Sequence, residues 1–459
     1  MKRKLTLAFI LLLLSVFAFS GLAGCSYADE GNTLVIYNWG DYIDEDLEED
    51  FEAYYQEVTG KPLDVVYSTF ETNEIMLTAI EKGEEKIDLI CPSEYAIQKL
   101  MEGGHLKKLD YSKISTYGNI EQDIYAKVAE VFTGIDVPGV GERESMVDYF
   151  VPYMWGTLGI LYNADVVTEE DLAEGYGLLW NSAGNPELQG KILMKDSIRD
   201  SYVAAVMRLK ETERLPSGYE NLSVQELINT VDDTMLGAVE QILLEQNSVL
   251  KGYEVDFGKA QMTSGRAYVD LAWSGDALWA MEDNGGYNLD YFVPEIGGNI
   301  WFDGWVMLND AQNVDAAYMF LDYICRPDIA MRNAMAIGYT SAVDKDAILQ
   351  DEDALAIVEE NEYEIDEYFE DELRYPDIAT ATVLGVMKDF GERNPATIKM
   401  WERVKGSQQD NMWMLWTLIG VVGAVIVCVG VYFGITHRPS QYRRLIKKAE
   451  EMEVEEKAE

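Results

Sequence analysis

The sequence predicts an α/β fold, and two features of the chain predict it. Between residues 33 and 93, β-rich apolar runs alternate with runs of helical periodicity, in the order TLVIYNW, DEDLEEDFEAYYQEVTGK, LDVVYST, ETNEIMLTAIEKG and IDLICPS. This alternation is typical of a parallel sheet covered by helices. Later, GKILMKDSIRDSYVAAVMRLKE and AYVDLAWSGDALWAMED each repeat a strand followed by a helix. At 459 residues, 48% of them hydrophobic, the chain is long enough for two or more packed lobes.

The first strand and the first helix have clear signals. TLVIYNW is apolar and rich in β-formers, so it is predicted to be a buried strand. In the segment that follows, Leu47, Phe51, Tyr54 and Tyr55 recur at helical spacing. Gly60 predicts the end of this helix, because glycine adopts the left-handed conformation that commonly terminates helices.

Aromatic and polar residues follow the predicted strands. Trp39 and Asp41 come at the end of the first strand, Ser93 and Tyr95 after the third, and Trp273 ends a later one. Ligands of parallel α/β sheets bind at the carboxyl ends of the strands. We therefore expect these side chains to line one cleft.

Aspartates at the starts of predicted helices have two interpretations. Asp196 is expected to be an N-cap, and Asp200 in the first turn would complement the helix dipole. Asp276 either caps the next helix or faces the same cleft. Each aspartate alone is best read as structural, but the recurrence of acids beside aromatics at several strand ends favours a binding site.

Residues 299–305, NIWFDGW, raise the question of what an acid does between two tryptophans. As a strand, the segment places Trp301, Asp303 and Trp305 on one face. A buried carboxylate without a partner is costly or takes up a proton. The nearest basic residue in sequence is Arg326. The partner is therefore either a cation from elsewhere in the fold or a cation that binds from outside.

Composition excludes several classes of function. With 82 acidic and 36 basic residues, the net charge of -46 argues against binding of nucleic acid or of an anionic membrane surface by the main body. Such a charge is either only a solvated surface or a field that attracts polycations. The two histidines, His105 and His437, are too few for a histidine-based zinc site, and no nucleotide-binding loop is present. No metal or cofactor is expected.

Both ends of the chain predict membrane attachment. Residues 1–24 have the basic start and apolar run of a secretory signal, and the Leu-Ala-Gly that precedes Cys25 looks like a bacterial lipobox. This implies lipidation of Cys25 and a lipid-anchored linker over 25–32, although an ordinary signal peptide with a chance cysteine is the alternative. Residues 412–434 carry no charge and are long enough to cross a bilayer. The basic residues that follow predict a cytoplasmic tail over 435–459.

Seven motifs then carry a family resemblance over roughly residues 33 to 405. They are, in order, YNWGDYID, STFETNEIM, IDLICPSEYAIQKL, VPYMWGTLGILYN, AWSGDA, IWFDGWVM and AIGYTSAV. Together they resemble the polyamine-binding proteins of ABC importers, the spermidine- and putrescine-binding group. The resemblance implies a two-lobed periplasmic-binding-protein-like (type II) fold with hinge crossover strands, of which PYMWGTLGI and NIWFDGW would be two. Lobe 1 would comprise 33–153 and 302–347, and lobe 2 would comprise 154–301 and 348–406.

The resemblance also implies a set of ligand-binding residues. The aromatic box of the family falls on Trp39, Tyr95, Trp273, Trp301 and Tyr339, the site serine on Ser93, the ammonium-binding carboxylates on Asp41, Asp200 and Asp303, and an acid of the putrescine-binding branch on Asp276. The chain departs from the family pattern at Ser197, where the spermidine branch has an acid, and at Gly40, where both branches have a hydroxyl residue. In this reading a ligand ammonium is the missing partner of Asp303, and indole faces cover the methylenes.

We therefore expect an extracellular binding protein, not an enzyme. It would be membrane-anchored with a monomeric ectodomain, would capture spermidine or putrescine, and would deliver it to the permease of an ABC transporter. The expected cleft holds several acids and no arginine clamp. Two alternatives use the same cleft of Trp and Asp: an extracellular carbohydrate-active enzyme, and a sensory ectodomain with the cytoplasmic tail as its output.

Overall fold

The structure is a computed structural model that describes residues 32–83, 86–376 and 383–407. Its strands are β1 (Thr33–Trp39), β2 (Asp64–Phe70), β3 (Leu89–Ile90), β4 (Thr133–Ile135), β5 (Glu144–Ser145), β6 (Phe150–Asn163), β7 (Ile192–Lys195), β8 (Leu250–Glu254), β9 (Val269–Trp273), β10 (Leu289–Phe292), β11 (Gly298–Met307), β12 (Thr340–Ser341) and β13 (Leu384–Gly385). Its helices are α1 (Leu47–Thr59), α2 (Asn73–Lys82), α3 (Glu94–Glu102), α4 (Gln122–Val131), α5 (Glu169–Leu172), α6 (Ile198–Glu211), α7 (Val224–Leu227), α8 (Asp233–Gln246), α9 (Gly258–Thr263), α10 (Ser274–Glu282), α11 (Val314–Ile324), α12 (Pro327–Ile337), α13 (Lys345–Leu349), α14 (Glu352–Glu360) and α15 (Ile365–Glu370). The chain divides into two compact units, Met1–Thr397, which contains all of these elements, and Ile398–Glu459, whose described residues 398–407 are helical.

The main sheet of the first unit joins two parallel halves. Its strand order is β2-β1-β3-β11-β6-β9-β7-β8. In one half β1 pairs in parallel with β2 and β3, and in the other β7 pairs in parallel with β8 and β9. Between the halves, the long strands β6 and β11 pair antiparallel with each other. The predicted α/β class is confirmed, and the two segments expected to be crossovers form the strands that connect the halves.

Helix α1 has the face and the end that the sequence predicts. Leu47, Phe51 and Tyr55 are buried, and Tyr54 is partly buried. The helix ends at Gly60, whose φ of 71° is left-handed and whose N–H donates to the Gln56 carbonyl at 2.8 Å. This backbone bond satisfies one of the carbonyls left free at a helix end.

The predicted N-cap of α6 is wrong by one residue. Ser197, not Asp196, caps the helix, because the Ser197 Oγ accepts the N–H of Asp200 at 3.3 Å. Asp196 still continues the pairing of the sheet, with its N–H donating to the Glu254 carbonyl at 2.6 Å. The sheet hydrogen bonding therefore continues one residue beyond the end of β7, and the helix begins correspondingly later.

Packing of α14 bears on the extent of lobe 1. This helix packs on α12, which lies within the predicted lobe 1, although the sequence analysis places 348–406 in lobe 2. Its buried residues are Ala354 and Val358, which recur at helical spacing. The boundaries of the lobes stay a prediction. The contact with α12 makes α14 a candidate member of lobe 1.

Several predicted features lie outside the described residues. The signal peptide over 1–24, the lipidation site Cys25, the span over 412–434 and the tail over 435–459 are among them. In the part of the chain that the structure does describe, every helix is too short or too polar to cross a membrane.

Candidate functional site

One cavity lies where the parallel strands of both halves end. Trp39 is the last residue of β1, Lys195 of β7, Glu254 of β8 and Trp273 of β9, and all four line the cavity. Ligand sites of open α/β sheets lie at this end of the strands. The cavity brings together all ten residues predicted for the site: Trp39, Asp41, Ser93, Tyr95, Asp200, Trp273, Asp276, Trp301, Asp303 and Tyr339.

Aromatic rings form much of the cavity wall, and small residues let them approach the backbone. The rings of Trp301 and Tyr339 lie 5.5 Å apart at 68°, an edge-to-face contact. A Cβ on Gly275 would lie 2.3 Å from the Tyr339 ring, and one on Gly156 would lie 2.8 Å from the Trp301 indole. The two glycines therefore make room for the two rings. The resulting flat apolar surface can cover a hydrocarbon chain and attract a cation.

Asp303 lies in this wall without a protein cation beside it. It is 6% exposed, and its Oδ1 has no hydrogen-bond partner among the described residues. Burial raises the pKa of Asp303 to about 7, while hydrogen bonds from the Ser93 and Tyr42 side chains oppose the rise. No Lys or Arg of the described chain ion-pairs with this carboxyl group. The sequence allowed two partners for Asp303: a cation from elsewhere in the fold, or a cation that binds from outside. Among the described residues, no protein cation takes this role.

Of the three residues predicted to share one face of β11, two line the cavity. Trp301 and Asp303 both line the cavity, but Trp305 does not line the cavity formed by the described residues. It is fully buried against Tyr153 and Phe320, with ring centroids 5.2 and 5.1 Å away. The pairing of β11 with β6 shifts register between Asp303 and Gly304, as at a β-bulge. The extra residue at this irregularity is Tyr153 of β6, so the alternation along β11 itself is not interrupted.

Glu74 and Glu94 are two of the four glutamates that line the cavity, none of which was predicted as a site residue. Glu94 is fully buried at the start of α3, where its Oε2 accepts the N–H of Phe302 at 2.9 Å and its Oε1 has no partner among the described residues. Burial raises the pKa of Glu94 to about 8, and the nearby charge of Asp303 adds to the rise. Burial likewise raises the pKa of Glu74, at the start of α2. Both glutamates follow shortly after predicted strands, and this position is the sequence signal that could have identified them.

Asp200 and Asp41 differ in their surroundings. Asp200 is 7% exposed in the first turn of α6, and burial raises the pKa of its carboxyl group. No described Lys or Arg forms an ion pair with it. Asp41 is exposed at the rim of the cavity, and its φ of 49° is left-handed. Aspartate is one of the few non-glycine residues that adopt this conformation readily.

Asp276 lies in the cavity wall, but protein cations already contact it. Its Oδ1 is 3.2 Å from the Lys259 Nζ, and its Oδ2 is 3.6 Å from the Lys195 Nζ. Lys195 is itself fully buried and lies 2.5 Å from the Glu254 Oε1. The two lysines were not predicted. Their pairing requires that β7, β8 and β9 be neighbours, which no local sequence pattern indicates.

One arginine lines the cavity, for which the sequence predicted no arginine clamp. Arg199, in the first turn of α6, lines the cavity and is 4% exposed. Its guanidinium lies 3.4 Å from the centroid of the Phe390 ring, and its Nη2 donates to the Asn229 Oδ1 at 3.3 Å. Its Nε and Nη1 have no hydrogen-bond partner among the described residues. From the sequence, only the neighbouring Asp200 was considered in the first turn of this helix.

Taken together, the wall is suited to a cation with an apolar chain. Carboxyl groups outnumber the three basic side chains Lys195, Arg199 and Lys259. Helix N-termini carry partial positive charge, but α2, α3, α6 and α10 each have an acidic residue in the first turn. These acids offset the helix dipoles at the cavity.

Comparisons with known proteins agree with this geometry. A family model described as bacterial extracellular solute-binding protein matches residues 50–355. The spermidine/putrescine-binding periplasmic protein of Escherichia coli (strain K12) is 27% identical over 315 residues, which are 68% of this chain and 78% of that protein. The putrescine-binding periplasmic protein PotF of the same organism is 27% identical over 324 residues, 69% of this chain and 79% of that protein.

A solved structure shows the same fold. The spermidine/putrescine ABC transporter substrate-binding protein PotD from Streptococcus pneumoniae is 29% identical and superimposes with a TM-score of 0.59, covering 82% of this chain and 99% of that chain. These relatives are named as binding proteins, and none of the three is named as an enzyme. The match of the family model over two thirds of the sequence, on a chain with this fold, establishes that the protein belongs to the bacterial extracellular solute-binding proteins.

Proposed function

We propose that this protein captures a polyamine, spermidine or putrescine, between its two lobes and delivers it to the permease of an ABC importer. The observation that carries the proposal is Asp303, a buried carboxyl group with no protein cation beside it, next to the indole of Trp301. Relatives named as spermidine/putrescine-binding and putrescine-binding proteins support the same ligand class.

Each chemical part of a polyamine has a counterpart in the cavity. An ammonium group at Asp303 would form a charge-assisted hydrogen bond with the unpaired Oδ1 and would keep the carboxylate ionised. The rings of Trp301 and Tyr339 would cover methylenes and attract the cation, at about 0.5 to 2 kcal/mol per contact. Asp200, which has no ion-pair partner in the described chain, would hold a second ammonium group.

The remaining predicted site residues complete this proposal. Trp39, Tyr95 and Trp273 would contribute further ring surface, and Ser93 would hydrogen-bond Asp303 and the ligand together. Asp41, exposed at the rim, would attract the ligand as it enters. The two halves of the sheet would close on the ligand through the connecting strands β6 and β11.

The proposed cellular arrangement rests on the sequence. Residues 1–24 would be removed, Cys25 would be lipidated, and 412–434 would span the membrane, with 435–459 on the cytoplasmic side. The monomeric ectodomain would then be held at both ends near the permease. The family, whose members are extracellular or periplasmic, supports an outside location of the binding domain.

Binding of a ligand panel to the full-length protein in detergent tests the ligand class. Putrescine or spermidine should raise the melting temperature and give a calorimetric binding signal, and the ligand should be recovered unchanged. Glutamate and a neutral oligosaccharide should have no effect, because the cavity has more acids than bases. Stabilisation by glutamate or by the oligosaccharide, without stabilisation by either polyamine, would contradict the proposal.

A further inference from the structure

Asn73, the first residue of α2, lies in the wall of the cavity and is 3% exposed. Its Nδ2 donates to the Ser93 Oγ at 3.1 Å and to the Tyr95 Oη at 3.0 Å. Its Oδ1 accepts the N–H of Ser93 at 3.4 Å. A side-chain amide has two hydrogens to donate, and here both are donated to hydroxyl groups of the protein. Asn73 therefore holds two residues predicted for the site and has no donor left for a ligand.

The orientation of this amide follows from the backbone of Ser93. A backbone N–H can only donate, so the amide atom that faces it is the carbonyl oxygen. The Nδ2 then faces the hydroxyl oxygens of Ser93 and Tyr95, which accept from it. Each hydroxyl group keeps one hydrogen of its own, which it must donate to a partner other than Asn73.

Both hydroxyl groups lie beside an acid of the cavity. Tyr95 donates to the Glu74 Oε1 at 3.4 Å. Ser93 and Asp303 are opposite each other in an antiparallel bridge, which places their side chains side by side. The Ser93 side chain hydrogen-bonds the Asp303 carboxyl group, and this bond lowers the pKa of Asp303 against the effect of burial. The hydrogen bond thus favours the ionised form of Asp303.

We propose that Asn73 is a positioning residue, which acts through Ser93 to keep the Asp303 carboxyl group ionised and ready to accept a ligand ammonium. The inference rests on the proposed function and deepens it. Without the Asn73 amide, the Ser93 hydroxyl group is free to rotate away from Asp303. Asn73 is therefore expected to change the pH dependence of binding, although it donates nothing to the ligand.

Asp303 has other titratable neighbours, which lie on several elements packed against β11. They follow β1, follow β3, begin α3, lie in the first turn of α6 and precede β12: Tyr42, Cys91, Glu94, Asp200 and Tyr339. The pKa of Glu94, about 8, lies in the range where Asp303 also titrates. The test therefore compares each variant with the wild type at the same pH, because these neighbours are present in both.

The test measures the affinity of the full-length protein and its variants for putrescine by calorimetry at pH 6 and pH 9. Asn73→Leu keeps the approximate shape of the side chain and removes its hydrogen bonds, and Asn73→Ala removes them with a smaller side chain. Ser93→Ala, alone and combined with Asn73→Leu, removes the hydroxyl group through which Asn73 would act. Asn163→Leu is the matched control, because Asn163 is 1% exposed and its Oδ1 accepts the N–H of Asp165 at 2.9 Å, outside the cavity.

The affinity of Asn73→Leu, divided by that of the wild type, should fall by about 10-fold from pH 9 to pH 6. A lost hydrogen bond raises the pKa of Asp303, so the ammonium must displace a proton from more of the variant at pH 6, and one pKa unit corresponds to about 10-fold. Asn73→Ala and Ser93→Ala should behave in the same way. Adding Asn73→Leu to Ser93→Ala should change the pH dependence by only about 2-fold or less. Asn163→Leu should lower the melting temperature and leave the pH dependence of binding unchanged.

Two results would overturn the inference while the proposed function stands. One is a loss of affinity in folded Asn73→Leu that is the same at pH 6 and pH 9, as expected of a residue that only supports the fold. The other is a pH effect of Asn73→Leu that is equally large in the Ser93→Ala background, since Asn73 would then not act through Ser93. Failure of both polyamines to bind the folded wild-type protein would instead overturn the proposed function, and with it the inference.

Discussion

Replacement of Asp303 by Asn keeps the shape of the side chain but removes the charge that a ligand ammonium would pair with. Removing one partner of a desolvated, hydrogen-bonded charge pair typically costs about 2 to 5 kcal/mol. We therefore expect the dissociation constant for putrescine at pH 8 to rise by roughly 30-fold to several thousand-fold. The empty variant should melt no lower than wild type at this pH, because the substitution removes a buried charge that has no ion-pair partner in the described chain.

The pH dependence gives this prediction a second, sharper magnitude. With a pKa of about 7 in the empty protein, Asp303 is mostly ionised at pH 8 and mostly protonated at pH 5. Binding of an ammonium group at pH 5 must first remove that proton, and two pKa units correspond to about 100-fold in affinity. Other groups that titrate between pH 5 and pH 8 change the affinity of the wild type and of Asp303→Asn alike. The ratio of the two affinities therefore reports the effect of Asp303 alone. This ratio should fall by up to about 100-fold from pH 8 to pH 5.

Calorimetry at both pH values, with melting curves of the empty proteins, measures each quantity. Asp171→Asn is the control, since Asp171 is also buried but lies outside the cavity, where its carboxylate accepts from Thr168, the N-cap of α5, and from Asn185. It should lower the melting temperature and leave the affinity intact. An Asp303→Asn variant with unchanged affinity would refute the reasoning, as would a ratio that does not depend on pH.

Three further predictions concern other parts of the molecule. Gly275→Ala should weaken polyamine binding measurably by calorimetry, because its Cβ would displace the Tyr339 ring, whereas Gly237→Ala, with open space around its Cβ, should not. Because the folded-state pKa of Glu94 is raised to about 8, the empty protein should lose stability as pH rises from about 4.5 to 8, and Glu94→Gln should flatten this dependence in thermal melts. Protease added to intact cells should digest the binding domain and spare a tag placed after Glu459; loss of the tag would contradict the proposed orientation.

The sequence was sufficient for the α/β class, the two connecting strands and ten cavity residues. The α/β class and several of these residues depend on local patterns: strand and helix alternation, and acids or aromatics placed just after strands. The two connecting strands and the full set of ten residues, Tyr339 among them, are implied by the family resemblance. The cap of α6 was misplaced because Asp196 continues a pairing with β8 that only the folded sheet reveals. Trp305 packs on Tyr153 and Phe320 and not in the cavity, and these tertiary contacts are not encoded in the alternation of side chains.

The contacts of Lys195 with Glu254 and Asp276 could not be predicted from local sequence patterns, for a different reason. Lys195, Glu254 and Asp276 are far apart in sequence and meet because β7 lies between β8 and β9. A lysine at the end of an apolar strand would be expected to lie in solvent, unless the order of the strands in the sheet is known. Arg199 likewise follows from the geometry of α6 over the cavity and not from its own position in the sequence.

The central claim is that a ligand ammonium is the missing partner of Asp303. A crystal structure of the protein with putrescine bound tests it most directly. We predict a ligand nitrogen about 2.7 to 2.9 Å from the Asp303 carboxylate, with the methylene chain against the Trp301 ring. Putrescine bound elsewhere, or bound in this cavity with both nitrogens beyond hydrogen-bond distance of Asp303, would contradict the account.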